Sequence, residues 1–209
     1  MKVSNWVLDP GKYLSREQAC GLLSTARREM ETAAGKRQIV AARDYFIVHL
    51  GLATGLRVME MAALNCGDLF LGDFVSSLLV RKGKGGKKRG VYFNNDFKKH
   101  CKEYLAWKWH RGEPVVDDAP LLLSSATGEH MTTRAIQKAF KRCAKKSGLP
   151  PSCSIHCLRH TYACCLLKAS KWNLRLVQKQ LGHARISTTQ VYADVMVPDI
   201  KKALDKLYQ

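Results

Sequence analysis

The sequence predicts an α+β domain, mainly helical, with one small three-stranded antiparallel sheet. Two observations carry the prediction. Most of the chain places apolar residues at helical spacing between recognisable caps and stops. One segment, 68–93, breaks that pattern with short apolar runs punctuated by glycine. At 209 residues with 46% hydrophobic content, the chain suffices for one domain with a sizeable core, or two small ones. No internal repeat, low-complexity tract or interdomain linker argues for division.

The elements follow in order. Residues 1–12 read as an extended lead-in. Ser15-Arg-Glu-Gln18 is a capping box that opens a helix to about Thr32, with Ala19, Leu22 and Leu23 facing inward. A break at 33–36 precedes a second helix from Gln38 to Ala53. That helix is apolar on most of its surface (Ile39, Val40, Tyr45, Phe46, Val48, Leu50) and so belongs at the centre. Gly55 is its stop, and a short helix runs from Arg57 to Leu64. Leu69–Leu71, a turn at Gly72-Asp73 and Phe74–Val80 form a hairpin, and Gly90–Phe93 supplies the third strand. The connection before it, 81–89, is crowded with lysine and glycine. Asn95 or Asp96 caps a helix to about His110, and Thr132 caps another that ends near Gly148. After Pro150-Pro151, residues 154–169, 174–181 and 187–193 read as three helices. An amphipathic helix at 198–209 closes the chain with Ile200, Leu204 and Leu207 on one stripe.

The chain carries 35 Lys+Arg against 17 Asp+Glu, a net charge of +18. A surplus of that size points to a polyanionic partner, nucleic acid first. Nothing approaches the run of roughly 18 apolar residues that a spanning helix needs, and the N-terminus has no signal-peptide apolar region. Eight cysteines in a chain this long are not a disulfide scaffold. Cys20, Cys66, Cys101 and Cys143 read as small buried hydrophobes in a reducing, cytoplasmic setting. Cys153, His156, Cys157 and His160 lie close together, but their spacing is not that of zinc arms. On one helix the two cysteines also face away from the two histidines. No metal site is expected.

The residues that carry chemistry sit mostly in 154–195. His156 and Arg159 share a helical face, and His160 lies one turn beyond His156. His183 follows Leu181-Gly182, and Tyr192 closes Ser187-Thr-Thr-Gln-Val-Tyr. Far upstream, Arg57 sits in Thr54-Gly55-Leu56-Arg57-Val58-Met59-Glu60. Taken singly, each reads as structural: a surface His-Arg pair, a helix stop, a half-buried tyrosine, a salt bridge to Glu60. Taken together they suit attack on a phosphodiester. Such attack builds negative charge that fixed cations must meet, and arginine's fork stays charged and grips two oxygens.

In this order the motifs resemble the tyrosine recombinases of the phage-integrase and Xer type, across nearly the whole chain. Thr-Gly-Leu-Arg57-x-x-Glu60 is similar to the family's first arginine box. Gly83-Lys84-Gly85-x-Lys-x-Arg89 is similar to its lysine-bearing β-hairpin turn. His156-x-Leu-Arg159-His160, Leu-Gly-His183 and the run to Tyr192 are similar to its second box. The resemblance implies a tyrosine-recombinase catalytic fold. It makes Tyr192 the nucleophile and Arg57 and Arg159 the phosphate clamp, with His183 a donor to the same phosphate. It makes His156 the base for a phenol whose ordinary pKa is about 10. Lys84 would protonate the leaving 5′ oxygen, with Lys82, Lys87 and Lys88 as rivals. Lys82, Lys87, Lys88 and Arg89 are also the expected contacts to the DNA backbone. Glu60 and His160 are supporting residues, and Glu60 orients Arg57.

The resemblance further implies strand exchange on double-stranded DNA at a specific site through a 3′-phosphotyrosyl link, without cofactor. The link conserves the bond energy and the arginines supply the charge. Relaxation of DNA in the manner of a type IB topoisomerase, or DNA binding without catalysis, stay open as alternatives. The family's N-terminal clamping domain has no counterpart before residue 12, so residues 1–209 read as one catalytic domain, either a minimal recombinase or a domain excised from a longer chain. Self-assembly as dimer or tetramer on DNA is expected through the helix at 198–209.

Overall fold

The computed structural model describes residues 12–81 and 88–194. The helices are α1 (Arg16–Thr32), α2 (Lys36–Thr54), α3 (Val58–Ala62), α4 (Asn95–His110), α5 (Thr133–Lys146), α6 (His156–Ala169), α7 (Leu174–Leu181) and α8 (Ser187–Asp194). The strands are β1 (Leu69–Leu71), β2 (Ser76–Val80) and β3 (Arg89–Phe93). Residues 1–11 of the expected lead-in, Lys82, Lys84, Lys87 and the expected helix at 198–209 lie outside the described residues.

Local chemistry explains most boundaries. The Ser15 hydroxyl accepts from the Gln18 amide at 3.1 Å while the Gln18 side chain accepts from the Ser15 amide at 2.9 Å. Leu22 is fully buried, with Ala19 and Leu23 packed at the edge of the core. α2 is central, in contact with α1, α4, α5 and α6. Phe46, Ile47, Val48 and Leu50 are wholly inside, but Val40, expected inside, is 45% exposed. It sits in the first turns of α2, away from the layer that covers Phe46. α2 stops at Gly55, which is left-handed with φ 60. A Cβ there would strike the Tyr162 ring, so conformation and close approach both call for glycine. Asn94, not Asn95 or Asp96, caps α4: its side chain accepts from the Phe97 amide at 3.1 Å. Asn94 is the first residue past the strand, so it alone has the extended backbone a cap requires. On α5, Ile136, Ala139, Phe140, Cys143 and Ala144 form the buried stripe behind the Thr132 cap.

The sheet is antiparallel in the order β1-β2-β3. Leu78 lies opposite both Leu69 and Val91, so Leu78, Val80 and Val91 enter the core while Phe70 and Tyr92 stand on the outer face. β3 begins at Arg89, one residue earlier than expected, and this decides where that side chain goes.

A large core joins the sheet and α1 to α5 with the start of α6. A smaller one is built by Ala163, Cys164 and Leu167 of α6, Val177 and Leu181 of α7, and Tyr192 of α8. Between α2 and α4 the large core also buries charge. Lys108, with no exposed surface, donates to Glu113 at 3.2 Å and to the Pro120 carbonyl at 3.1 Å. Arg43 donates to Glu113 at 2.5 Å and to the Ser125 hydroxyl, with its guanidinium 5.7 Å from the Trp107 ring centroid. Nearby, Nδ1 of His49 and Nδ1 of His100 lie 2.8 Å apart. Burial pulls these rings down to about 4 and about 3, so both are neutral and one donates to the other.

The cysteines are free. Cys66, Cys101 and Cys143 are buried as expected, but Cys20 is exposed, two residues before Leu22 and so on the opposite side of α1. Cys153 and Cys157 are buried, whereas His156 is exposed. Among the described residues no set of three or more metal-type donors converges, and no helix is long and apolar enough to cross a membrane.

Candidate active site

Arg57 stands at the N-terminus of α3, just past the Gly55 stop. Its amide donates to Glu60 at 2.9 Å and its Nη1 to the same carboxylate at 3.0 Å. Glu60 is only 6% exposed. Arg89 grips it from the other side, Nη1 and Nη2 donating to the two oxygens at 2.8 and 2.9 Å. Burial alone would push the Glu60 carboxyl up. The Arg89 hydrogen bonds, the Arg57 amide and both guanidinium charges outweigh it and bring the pKa to about 2. Arg89, expected on the DNA backbone, is thus turned inward, its side chain 12% exposed. The cause is strand alternation: Arg89 is two residues from Val91 and shares its inward face.

Arg159, in the first turns of α6, ties two helix ends together. Its Nη1 donates to the Gly55 carbonyl at 2.6 Å and its Nη2 to the Leu181 carbonyl at 2.8 Å. These are orphan carbonyls at the negative ends of α2 and α7, where a cation is favoured. Burial, and then the repulsion of Arg57, lower Arg159 to about 10.

α7 ends at Gly182, left-handed with φ 65. A Cβ on it would fall 2.8 Å from the Arg89 side chain, so the turn can close over Arg89 only with glycine. The turn delivers His183 with its Nε2 3.0 Å from Nη2 of Arg159 and its Nδ1 3.0 Å from the Thr189 hydroxyl. Arginine only donates, so Nε2 accepts and the proton sits on Nδ1. Burial and the charges of Arg159, Arg57 and Arg89 pull the ring down to about 3.

Tyr192, on α8, is 4% exposed and belongs to the smaller core. Its ring lies nearly parallel to His183, with centroids 6.3 Å apart and planes 9° off. Burial raises the phenol above its ordinary value, against the pull of Arg159. Its hydroxyl lies 3.2 Å from Nδ1 of His160. Burial, with the charges of His156 and Arg159, holds His160 down to about 4, so it is neutral and can accept a proton.

His156, which the resemblance makes the base for Tyr192, is exposed as the first residue of α6 and makes no hydrogen bond with the described residues. The rotation of α6 that buries Arg159 turns His160, not His156, towards α8. Arg57, Glu60, Arg159, His160, His183 and Tyr192 do come together. Of the lysine turn only Lys88 is described, and it is exposed. Thr189 and Gln180 went unsuspected. Thr189 sits fully buried within the Ser187-Thr-Thr-Gln190 run, but nothing local singles out that hydroxyl. Gln180 accepts from the Tyr92 amide at 3.1 Å through its side chain and from Nε of Arg89 at 3.2 Å through its carbonyl.

A helical domain with a small antiparallel sheet, gathering arginines and histidines around a buried tyrosine, defines a tyrosine-recombinase catalytic domain. The chain belongs to the phage integrase family, whose model matches residues 12–197. It is 32% identical over 177 residues to tyrosine recombinase XerC of Thermodesulfovibrio yellowstonii, covering 83% of this chain and 57% of that protein. It is 33% identical over 207 residues to tyrosine recombinase XerC 1 of Ralstonia nicotianae, covering 94% and 60%. Among solved structures, the XerH site-specific recombinase in a post-cleavage complex with its palindromic difH substrate aligns with a TM-score of 0.75 at 26% identity, covering 94% of this chain and 53% of that one. XerA recombinase aligns with a TM-score of 0.72 at 25% identity, covering 94% and 65%. The chain therefore spans well under two thirds of the length of the curated relatives it matches.

Proposed function

We propose that this chain cuts and rejoins double-stranded DNA at a specific site, acting as the catalytic domain of a site-specific recombinase. The carrying observation is the convergence of Arg57, Arg159 and His183 on Tyr192, with Arg89 and Glu60 behind them. Arg57 and Arg159 take the non-bridging oxygens of the scissile phosphate and meet the charge that develops there. The Tyr192 oxygen attacks phosphorus, a P–O(Tyr) bond forms and the bond to the 5′ oxygen breaks. The phenol proton passes to His160, which already stands beside it. His156 can serve only after the phenol leaves its present position. The 5′ oxygen takes a proton from the lysine turn, where Lys84 matches the family position and Lys82, Lys87 and Lys88 are rivals. Because the phosphotyrosyl bond stores the energy of the one broken, neither a nucleotide nor a metal is required.

Two features of the site refine this sequence. The phenol is covered and faces His160, so engagement of DNA includes a shift of α8. His183 donates to phosphate only if Nε2 carries a proton, which its contact with Arg159 now excludes. An arriving phosphate anion draws Arg159 off Nε2 and reverses the field that depresses the ring, and both changes favour protonation there. Self-assembly on DNA, in the manner suggested by the palindromic substrate of the XerH relative, and a cytoplasmic location go with this reading.

The test is covalent capture on nicked duplexes carrying the sequence that flanks its own gene. We expect a protein–DNA adduct that Tyr192→Phe abolishes. Sequence-independent relaxation of a supercoiled plasmid would favour topoisomerase activity instead. Absence of any Tyr192-dependent adduct or relaxation would leave a DNA-binding protein without catalysis.

A further inference from the structure

β3, which leaves the lysine turn, is fastened to the end of α7, which presents His183. Two bonds make the joint: the Tyr92 amide to the Gln180 side chain at 3.1 Å, and Nε of Arg89 to the Gln180 carbonyl at 3.2 Å. Arg89 reaches further. Its two terminal nitrogens hold both oxygens of Glu60, which in turn holds the amide and Nη1 of Arg57. Its aliphatic end and Nε lie directly beneath Gly182, where even one added methyl would collide. A single side chain is thus wedged between the Arg57 box and the His183 turn.

We propose that Arg89 is a positioning residue for the phosphate clamp: by gripping Glu60 and the end of α7 together, it fixes Arg57 and His183 at one separation. It touches no substrate atom, and the proposal rests on the recombinase reading. Without Arg89, Glu60 keeps Arg57 as its one described guanidinium partner and draws it away from phosphate. The α7 end also loses the side chain on which Gly182 closes. Binding to DNA, which depends on exposed cations, should be untouched, because the Arg89 fork is committed inside the fold.

The test uses the full chain with Arg89→Met, Arg89→Lys and Arg89→Met combined with Glu60→Gln. Affinity for a duplex of random sequence is measured across a salt series. Single-turnover adduct formation is measured on a nicked duplex that the unsubstituted protein cleaves. Arg89→Met should bind with unchanged affinity and salt slope and form adduct about 100-fold more slowly, as expected of a displaced catalytic group. Adding Glu60→Gln should cost little more, because both residues act through one contact. A salt slope reduced by about one would place Arg89 on a phosphate and overturn the proposal. So would an unchanged rate, or losses that multiply in the double variant. If Arg89→Met fails to fold, Arg89→Lys decides. It keeps the charge but cannot span Glu60 and Gln180, so a rate equal to the unsubstituted protein's would also overturn it. An unsubstituted protein that forms no Tyr192-dependent adduct removes the recombinase reading and this proposal together; an active one unaffected by Arg89→Met removes the proposal alone.

Discussion

Among the described residues cations are buried in two places, and the two are treated differently. Between α2 and α4, Arg43 and Lys108 share Glu113, and a serine hydroxyl, a proline carbonyl and a tryptophan face take up much of what remains. That cluster is closed by the core. At the candidate active site Arg57 and Arg89 share Glu60, while among the described residues Arg159 has only carbonyls and a histidine for partners. Positive charge is left over there, and Arg57 carries it toward the surface. Burying a cation is costly without compensation, so the architectural cluster is compensated more fully, with Nε of Arg43 alone of its cationic nitrogens left buried without a partner among the described residues. At the candidate active site more of the compensation is missing, which is what the proposed binding of a phosphate would supply.

The largest expected difference between the clusters is in rate. Arg159→Lys keeps a charge but loses the fork that spans two carbonyls and a phosphate oxygen. Single-turnover adduct formation should fall by about 10²–10³-fold, the usual cost of one lost charge-stabilising donor. Arg43→Lys should leave that rate alone while lowering the melting temperature. Equal rate losses in the two variants would erase the functional distinction.

Stability gives the next contrast. Glu113→Gln strands Lys108, which has no exposed surface, and should cost roughly 3 kcal/mol in denaturant unfolding. Glu60→Gln should cost somewhat less, because Arg89 keeps the Gln180 carbonyl and Arg57 is partly exposed and can turn to solvent, but it should slow adduct formation where Glu113→Gln does not. The pair is read by equilibrium melts beside the cleavage assay.

Acid should act on both regions through buried histidines. His49 and His100 are held below their ordinary value by burial, so their neutral forms stabilise the fold. That contribution is complete above about pH 6.5 and is lost as pH falls from there toward 4, because the unfolded chain takes up the protons. Unfolding free energy should drop by on the order of 5 kcal/mol across that window, about half of it from each ring. Replacing both rings by glutamine should flatten the slope. At the active site, His160 stays neutral to about 4, so a proton-accepting His160 puts the acid limb of the cleavage rate well below that of an ordinary imidazole. A limb near pH 6.5 in a still-folded protein would remove the role from His160.

These contrasts also show what could be read without coordinates. Ser15 with Gln18, Thr132 and Gly55 were legible because a cap or a left-handed stop is decided within a few residues. The sheet was legible because alternation and glycine turns are equally local. Arg57, Arg159, His183 and Tyr192 were visible as motifs, though their convergence was not. His156 stood ahead of His160 on the resemblance alone, because helical spacing puts both near Arg159, and only the packing of α6 on α8 shows which ring lies beside the phenol. Arg89 was misplaced for a related reason. A basic residue beside a lysine-rich turn reads as surface, and its inward aim depends on β3 starting one residue early and on Glu60, which is distant in sequence. Thr189 and Gln180 had no local signal at all.

The smallest contrast isolates the Arg89 contact by comparing two glycines. Gly112 and Gly182 both follow helices, and both have a left-handed backbone, with φ 71 and φ 65. A Cβ at Gly112 meets nothing within 4 Å, whereas one at Gly182 lies 2.8 Å from Arg89. Gly112→Ala therefore carries only the backbone penalty, about 1 kcal/mol of stability, with adduct formation unchanged. Gly182→Ala carries the same penalty and must also move Arg89 or lift the His183 turn. Its melting temperature should fall only slightly further, but its cleavage rate should drop by roughly tenfold or more, because small displacements at a reacting centre are expensive. If the two alanine variants cleave alike, Arg89 does not set the separation of Arg57 and His183, and the clamp is set by Arg159 and its two carbonyls.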